Sequence, residues 1–251
     1  MNDPRFSEED YISWTGWTKE QLIDMAEIIE PVMNKSKHRS VFNAVCIFWI
    51  KMKTYLSFRQ IGTLFRVDCP DQVIRKRVSD SFHSVAAAFE KVIVLQHLGI
   101  EHLAKEMALS HQTAYTKAFY GDNICLIWDG TYFYFDKSDD HELQRHMYSG
   151  QKKHHLLNFM SIVLPDGYVL DTLEPFFGKD NDASITAHIL EYYTKLKKWC
   201  RRGDVQIVDR GFRDVVEAFK QLSFYVHLPS FLDKQAKQLS ITEANESRLF
   251  L

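Results

Sequence analysis

The chain has 251 residues, room for one large domain or two smaller ones. With 45% hydrophobic and 25% charged residues it has the composition of a globular protein, which excludes disordered, collagen-like and disulfide-scaffold classes. The net charge of −2 conceals a segregation: residues 1–34 carry eight acids against two bases, a net of −6, and residues 35–91 carry eleven bases against four acids, a net of +7. A block of that kind is either a solvated helical face or a surface for polyanions.

Only 10 glycines are present, with no Gly-x-Gly-x-x-Gly or Gly-x-x-x-x-Gly-Lys run, which argues against a dinucleotide or P-loop cofactor. The four cysteines, Cys46, Cys69, Cys125 and Cys200, form no Cys-x-x-Cys pair and lie in apolar segments, the pattern of reduced thiols in an intracellular protein. The first ten residues are acidic, unlike a secretory signal. The longest apolar stretch, 41–50, contains Asn43 and is about half of the roughly 20 residues a bilayer span requires, so no membrane partner is expected.

In chain order, Thr18 and Gln21 make a capping box, and Leu22, Met25, Ala26 and Ile29 follow at helical spacing until Pro31. Val41, Val45, Phe48, Trp49 and Met52 mark a second helix, with Lys51 and Lys53 on its other face. Ser57 and Gln60 repeat the capping signal for a short helix. A break at 66–70 precedes a long helix along Ile74, Val78, Phe82, Val85 and Phe89, whose outward positions include Gln72, Arg75, Lys76 and Ser79. A short helix, a turn and a longer basic helix read as a helix-turn-helix unit: Arg75, Lys76 and Arg77 suit phosphates, and Gln72 or Arg75 suits base edges. Three helices with a basic surface also occur in purely structural bundles.

Periodicity fades over 108–116, where a second domain is expected to begin. Residues 124–128 and 132–135 read as adjacent strands, and 155–164 with 168–177 as a hairpin turning at Pro165, Asp166 and Gly167. Residues 182–199 read as one helix, 205–208 as a strand, and Val215, Val216 and Phe219 as the start of a further helix.

Two aspartates follow apolar strands and precede glycines: Asp129 before Gly130, and Asp209 one residue before Gly211. If both strands lie in the sheet core, the carboxylates emerge at one sheet end, where α/β ligand sites form. Convergent carboxylates must share a proton or a cation, and hard oxygen ligands favour Mg²⁺ or Mn²⁺. The bland alternative is that each aspartate caps the next turn or helix. His141, His146, His154 and His155 lack the paired spacing of a zinc site.

These residues carry a resemblance. Asp129-Gly130-Thr131, then Tyr148-Ser149-Gly150-Gln151-Lys152-Lys153, then Asn181-Asp182-Ala183-Ser184, then Val208-Asp209-Arg210-Gly211-Phe212, are similar in order and spacing to the DDE superfamily endonuclease domain of Harbinger-type transposases, over about residues 113–251. The resemblance implies an α/β, ribonuclease H-like fold with a mixed sheet flanked by helices. It implies metal-holding acids at Asp129 and Asp209, and a DNA-binding role for an all-α helix-turn-helix domain at 1–108. Asp182 occupies another acidic position of the pattern; at a helix start it is an N-cap candidate and is read as a support residue, not a ligand. Lys152 and Lys153 would hold phosphates near the metal, or lie in an exposed loop.

The family's third acid, a helix glutamate, follows the stretch at 245–248 after a further short segment, and Leu251 ends the sequence first. The expectation is a C-terminally truncated domain whose second metal lacks an anchor; Glu246 is a candidate substitute, though it sits with Glu243 in a Thr242-led helix start where acids favour the dipole, and Glu217 is nearer but falls on the solvent face of its helix. The leading function is therefore a divalent-metal-dependent DNA endonuclease of transposase type, acting on duplex DNA in the nucleus. The alternatives are a transposase-derived DNA-binding protein that has lost cleavage, and an interaction module with neither activity. A homo-oligomer is left open.

Overall fold

The computed structural model describes residues 6–34, 39–65, 70–230 and 241. The chain divides into two compact units, Met1–Gln96 and His97–Leu251. The division falls earlier than the 108–113 boundary read from the sequence, because Ile100 and Ala108 are fully buried in the core of the second unit.

The first unit is helical. Helices α1 (Glu8–Thr15), α2 (Lys19–Ile29) and α4 (Phe58–Leu64) each begin in a capping box, at Ser7 with Asp10, Thr18 with Gln21 and Ser57 with Gln60. Helix α3 (Val41–Lys53) starts on Ser40, whose hydroxyl accepts the Asn43 N–H at 3.2 Å. Helix α5 (Asp71–Phe89) runs on through a π turn at Glu90–Val94 into the short α6 (Leu95–His97). Helix α1 was not anticipated, although Ser7-x-x-Asp10 is the same signal that located α2 and α4. The 66–69 part of the expected break lies outside the described residues. Apolar faces of α1, α2, α3 and α5 meet around Tyr11, Leu22, Val45 and Phe48, and Phe48 stacks on Phe82 with ring centroids 5.1 Å apart. A second cluster joins α3, α4 and α5 through Ile50, Ile61, Ile74 and Val78.

The second unit opens with α7 (Lys105–Ser110) and α8 (Ala114–Tyr120), two short helices where the sequence pattern had faded. Strand β1 (Cys125–Tyr134) follows, then α9 (His141–Met147), β2 (Tyr148–Ser149), β3 (His154–Val163), β4 (Val169–Phe177), α10 (Asp182–Tyr192), α11 (Thr194–Trp199), β5 (Val205–Ile207), a 3₁₀ turn at Arg210–Val215, α12 (Val216–Gln221) and β6 (Tyr225–His227). The sheet runs β2-β3-β1-β5-β6, with β4 also on β3. Strands β3 and β4 pair antiparallel about the expected turn, where Gly167 has φ 94°, a backbone region that favours glycine. Strand β3 is antiparallel to β1, and β5 and β6 are parallel to it, so the sheet is mixed. A mixed sheet flanked by helices is consistent with a ribonuclease H-like fold.

Two expectations need correction. The span 124–135 holds one strand, not two: β1 (Cys125–Tyr134) pairs with β3 without a break from Ile127 opposite Val163 to Tyr134 opposite Leu156, passing straight through Asp129 and Gly130. Residues 182–199 are two helices, parted at Tyr193, whose hydroxyl donates to the buried Asp171 carboxylate. Among the described residues no helix is long and apolar enough to cross a membrane.

Candidate metal centre

The parallel pairing of β1 and β5 sets the frame of the site. Cys125 lies opposite Val205, Leu126 opposite Gln206 and Ile127 opposite Ile207. The offset of 80 residues that separates each pair also separates Asp129 from Asp209, two residues past the last pair. The two aspartates therefore follow the paired frame at the same step, Asp129 still within β1 and Asp209 just past the end of β5. Below them the fully buried Gln206 accepts a hydrogen bond from Trp128 Nε1 at 2.7 Å, which locks the strands together inside the core.

At this level the strands diverge. Strand β5 ends, and the exposed Asp209 accepts the Gly211 N–H at 2.8 Å at the head of the 3₁₀ turn. The capping reading thus holds for Asp209. It fails for Asp129, which is exposed in mid-strand opposite Ser161 of β3, with no turn after it.

Asp182 comes to the same place from α10. The N-cap of this helix is not Asp182 but Asn181, whose side-chain oxygen accepts the Ser184 N–H at 2.8 Å. The carboxylate of Asp182, one residue into the helix, is thereby left for other contacts. Asn158 Nδ2 donates to Asp182 Oδ1 at 3.0 Å. A Cβ on Gly130 would stand 2.7 Å from that oxygen, and one on Gly211 would stand 3.4 Å from Asp182 Oδ2 and 3.0 Å from Asp209 Oδ1. The glycines that follow the two strand aspartates are therefore the space into which the third one fits.

Two groups here are shifted by their surroundings. Burial pushes the Asp182 carboxyl up; the Asn158 hydrogen bond opposes the shift, the charges of Asp209 and Asp129 add to it, and Lys152 opposes it. The Tyr132 phenol is raised by burial first, then by Asp182, Asp129 and Asp209. Lys152 Nζ lies 4.6 Å from the centroid of the Tyr132 ring, which brings a positive charge to this side of the sheet.

Among the described residues no group of three or more His, Cys, Asp or Glu side chains is placed to hold a metal ion. The donors nonetheless suit a hard cation. Asp129, Asp182 and Asp209 offer carboxylate oxygens, two of them crowd a cradle that any Cβ would fill, and Asn158, 1% exposed, has an Oδ1 without a hydrogen-bond partner beside Gly130.

The remaining candidates belong to other elements of the two units. Lys153 has φ 57° in the turn before β3, and His154 and His155 begin that strand. Gln72, Arg75, Lys76 and Arg77 are exposed along α5 in the first unit, beside buried Ile74 and Val78. Glu217 is exposed and paired with Lys220 at 2.8 Å. Glu243 and Glu246 fall outside the described residues, as does Cys69. Asn158 was not anticipated; the signal was an amide between Leu156 and Met160 on the buried face of an otherwise apolar strand.

Residues 128–250 match the family of the DDE superfamily endonuclease, a stretch just short of half the chain. The match supports an endonuclease domain of this superfamily in the second unit, and all three aspartates lie inside it. No curated protein and no solved structure matches the chain.

Proposed function

We propose that the chain is a transposase-derived, divalent-metal-dependent DNA endonuclease of Harbinger type, in which Asp129 and Asp209 hold Mg²⁺ or Mn²⁺. The observation that carries this reading is the β1–β5 register, which brings Asp129 in β1 and Asp209 just past β5 to the same step beyond the last pair, both exposed and both within the matched segment. Such an ion, when bound, lowers the pKa of a water and stabilises the leaving oxygen of a phosphodiester. The chain's own contribution is to fix the two carboxylates on a sheet whose core is tied by Trp128 and Gln206, and to present Lys152 and Lys153 to phosphate oxygens. The exposed Gln72, Arg75, Lys76 and Arg77 of α5 serve as the reading face of a helix-turn-helix that grips duplex DNA. A nuclear site of action follows from that substrate.

Supercoiled plasmid is the direct test. Nicking with Mg²⁺ or Mn²⁺ should vanish with a chelator and in Asp129→Asn and Asp209→Asn alike. Nicking that survives the chelator, or that either variant leaves unchanged, overturns the assignment. The absence of a preassembled three-acid group among the described residues favours a second reading, a DNA-binding protein without cleavage. Retained DNA binding with no nicking under any metal would establish it.

A further inference from the structure

Asp182 does more than begin a helix. Its N-cap duty is discharged by Asn181, its carboxylate is half-buried, and two glycines make room for it, Gly130 in β1 and Gly211 in the 3₁₀ turn after β5. Burying a carboxylate is unfavourable unless charge or hydrogen bonds compensate, and here one side-chain amide and one lysine face two further carboxylates. Asn158 adds an independent sign: it is 1% exposed, one end of its amide is committed to Asp182, and the other, Oδ1, has no partner and lies 3.1 Å from the Gly130 Cβ position, at the same cradle. A buried acceptor of that kind calls for a donor or a cation beside it.

We propose that Asp182 is a cation ligand of this centre, working with Asp209 across Gly211, and that Asn158 is the positioning residue that seats it. The proposal rests on the metal-dependent reading above and changes its ligand set: within the described residues the acids that serve the ion are Asp129, Asp182 and Asp209. The fit of Asp182 into the space over Gly130 then explains why that strand position carries no side chain. Asn158 acts through Asp182, in the way that outer partners of metal-binding carboxylates fix their orientation.

The test is Mn²⁺ binding to the full chain, followed by calorimetry and by the loss of the free Mn²⁺ paramagnetic resonance signal. Asp182→Asn should weaken binding at least about tenfold, as Asp209→Asn does. Asn158→Leu should weaken it by about tenfold, the usual cost of removing such a partner. Thermal melting in the absence of metal separates these effects from unfolding. Should Asp182→Asn fail to fold, Gly130→Ala supplies the second approach, since its methyl displaces the carboxylate without removing it. Gly130→Ala should weaken Mn²⁺ binding in the wild-type background and add nothing in an Asp182→Ala background. Wild-type binding that Asp129→Asn and Asp209→Asn abolish but Asp182→Asn leaves intact would overturn this inference alone. Failure of the wild-type chain to bind Mn²⁺ would overturn the metal-dependent reading and this inference together.

Discussion

Gly62, within α4, packs closely against α5, the helix proposed to read DNA. A Cβ added there would stand 2.2 Å from Ile74 Cγ2 and 3.3 Å from Val78 Cγ2 of α5. Carbon atoms meet without repulsion at about 3.5–4.0 Å, so Ile74 would have to retreat by more than an ångström. Ile74 and Val78 are buried and Ile61 is fully so, which leaves no open direction for the retreat. Overpacking of this kind costs about 1–3 kcal/mol. Against it, alanine in a helix interior gains about 0.8–1.0 kcal/mol over glycine. The approach is close enough to place the first effect high in its range, so Gly62→Ala should destabilise the first unit by about 1–2 kcal/mol. For a unit of this size that lowers the melting temperature by about 4–16 °C, read by calorimetry or circular dichroism. The diagnosis is checked in an Ile74→Ala background, which removes Cγ2. There the same substitution should become neutral to stabilising by up to about 1 kcal/mol, because the helix preference then opposes only the milder 3.3 Å approach to Val78 Cγ2. A Gly62→Ala protein that melts no lower than wild type, or an equal penalty in both backgrounds, would refute the packing argument.

Two further outcomes are expected. Lys76→Ala with Arg77→Ala removes two exposed cations from α5 and should weaken duplex DNA binding while lowering the slope of log affinity against log salt by about 1 for each phosphate no longer neutralised; an unchanged affinity would remove α5 from the interface. Tyr193 has a phenol raised by burial first and then by its bond to Asp171, so the fold favours the neutral form and its contribution to stability is full below about pH 10 and falls as pH rises further, when the unfolded phenol ionises first. Asp171→Asn should bring the tyrosinate absorbance change of Tyr193 to lower pH, and a titration unaltered by that substitution would contradict the assignment.

The helices were legible where their signals are local. Capping residues located α2 and α4, and the 3.6-residue stripe through Ile74, Val78, Phe82 and Val85 located α5, because these depend on neighbours within a turn or two. The β3–β4 hairpin was legible for the same reason, with Pro165, Asp166 and Gly167 between apolar runs. The errors arose where a distant partner decided the outcome. Tyr193 interrupts a helical pattern because its hydroxyl reaches Asp171 on β4, and Ile100 joins the second core partly through its N–H to the same carboxylate at 3.2 Å. Nothing within a few residues of Tyr193 or Ile100 announces that partner.

Asp129-Gly130 shows most plainly what sequence leaves undetermined about the site. An Asp-Gly pair between apolar and aromatic runs is a strong turn signal, since glycine accepts backbone angles that other residues avoid. The same pair also suits a position where something must approach the backbone closely, and the two uses look identical until the approaching group is known. Here the group is Asp182, 52 residues downstream of Gly130, at the head of a helix that packs against the sheet. Once Asp182 is in place, Gly130 has no need to turn, β1 continues along β3, and Asp129 is held in mid-strand rather than at a flexible end. The glycine that seemed to end the strand is thus what leaves room for the Asp182 carboxylate next to β1, and a side chain at position 130 would exclude it.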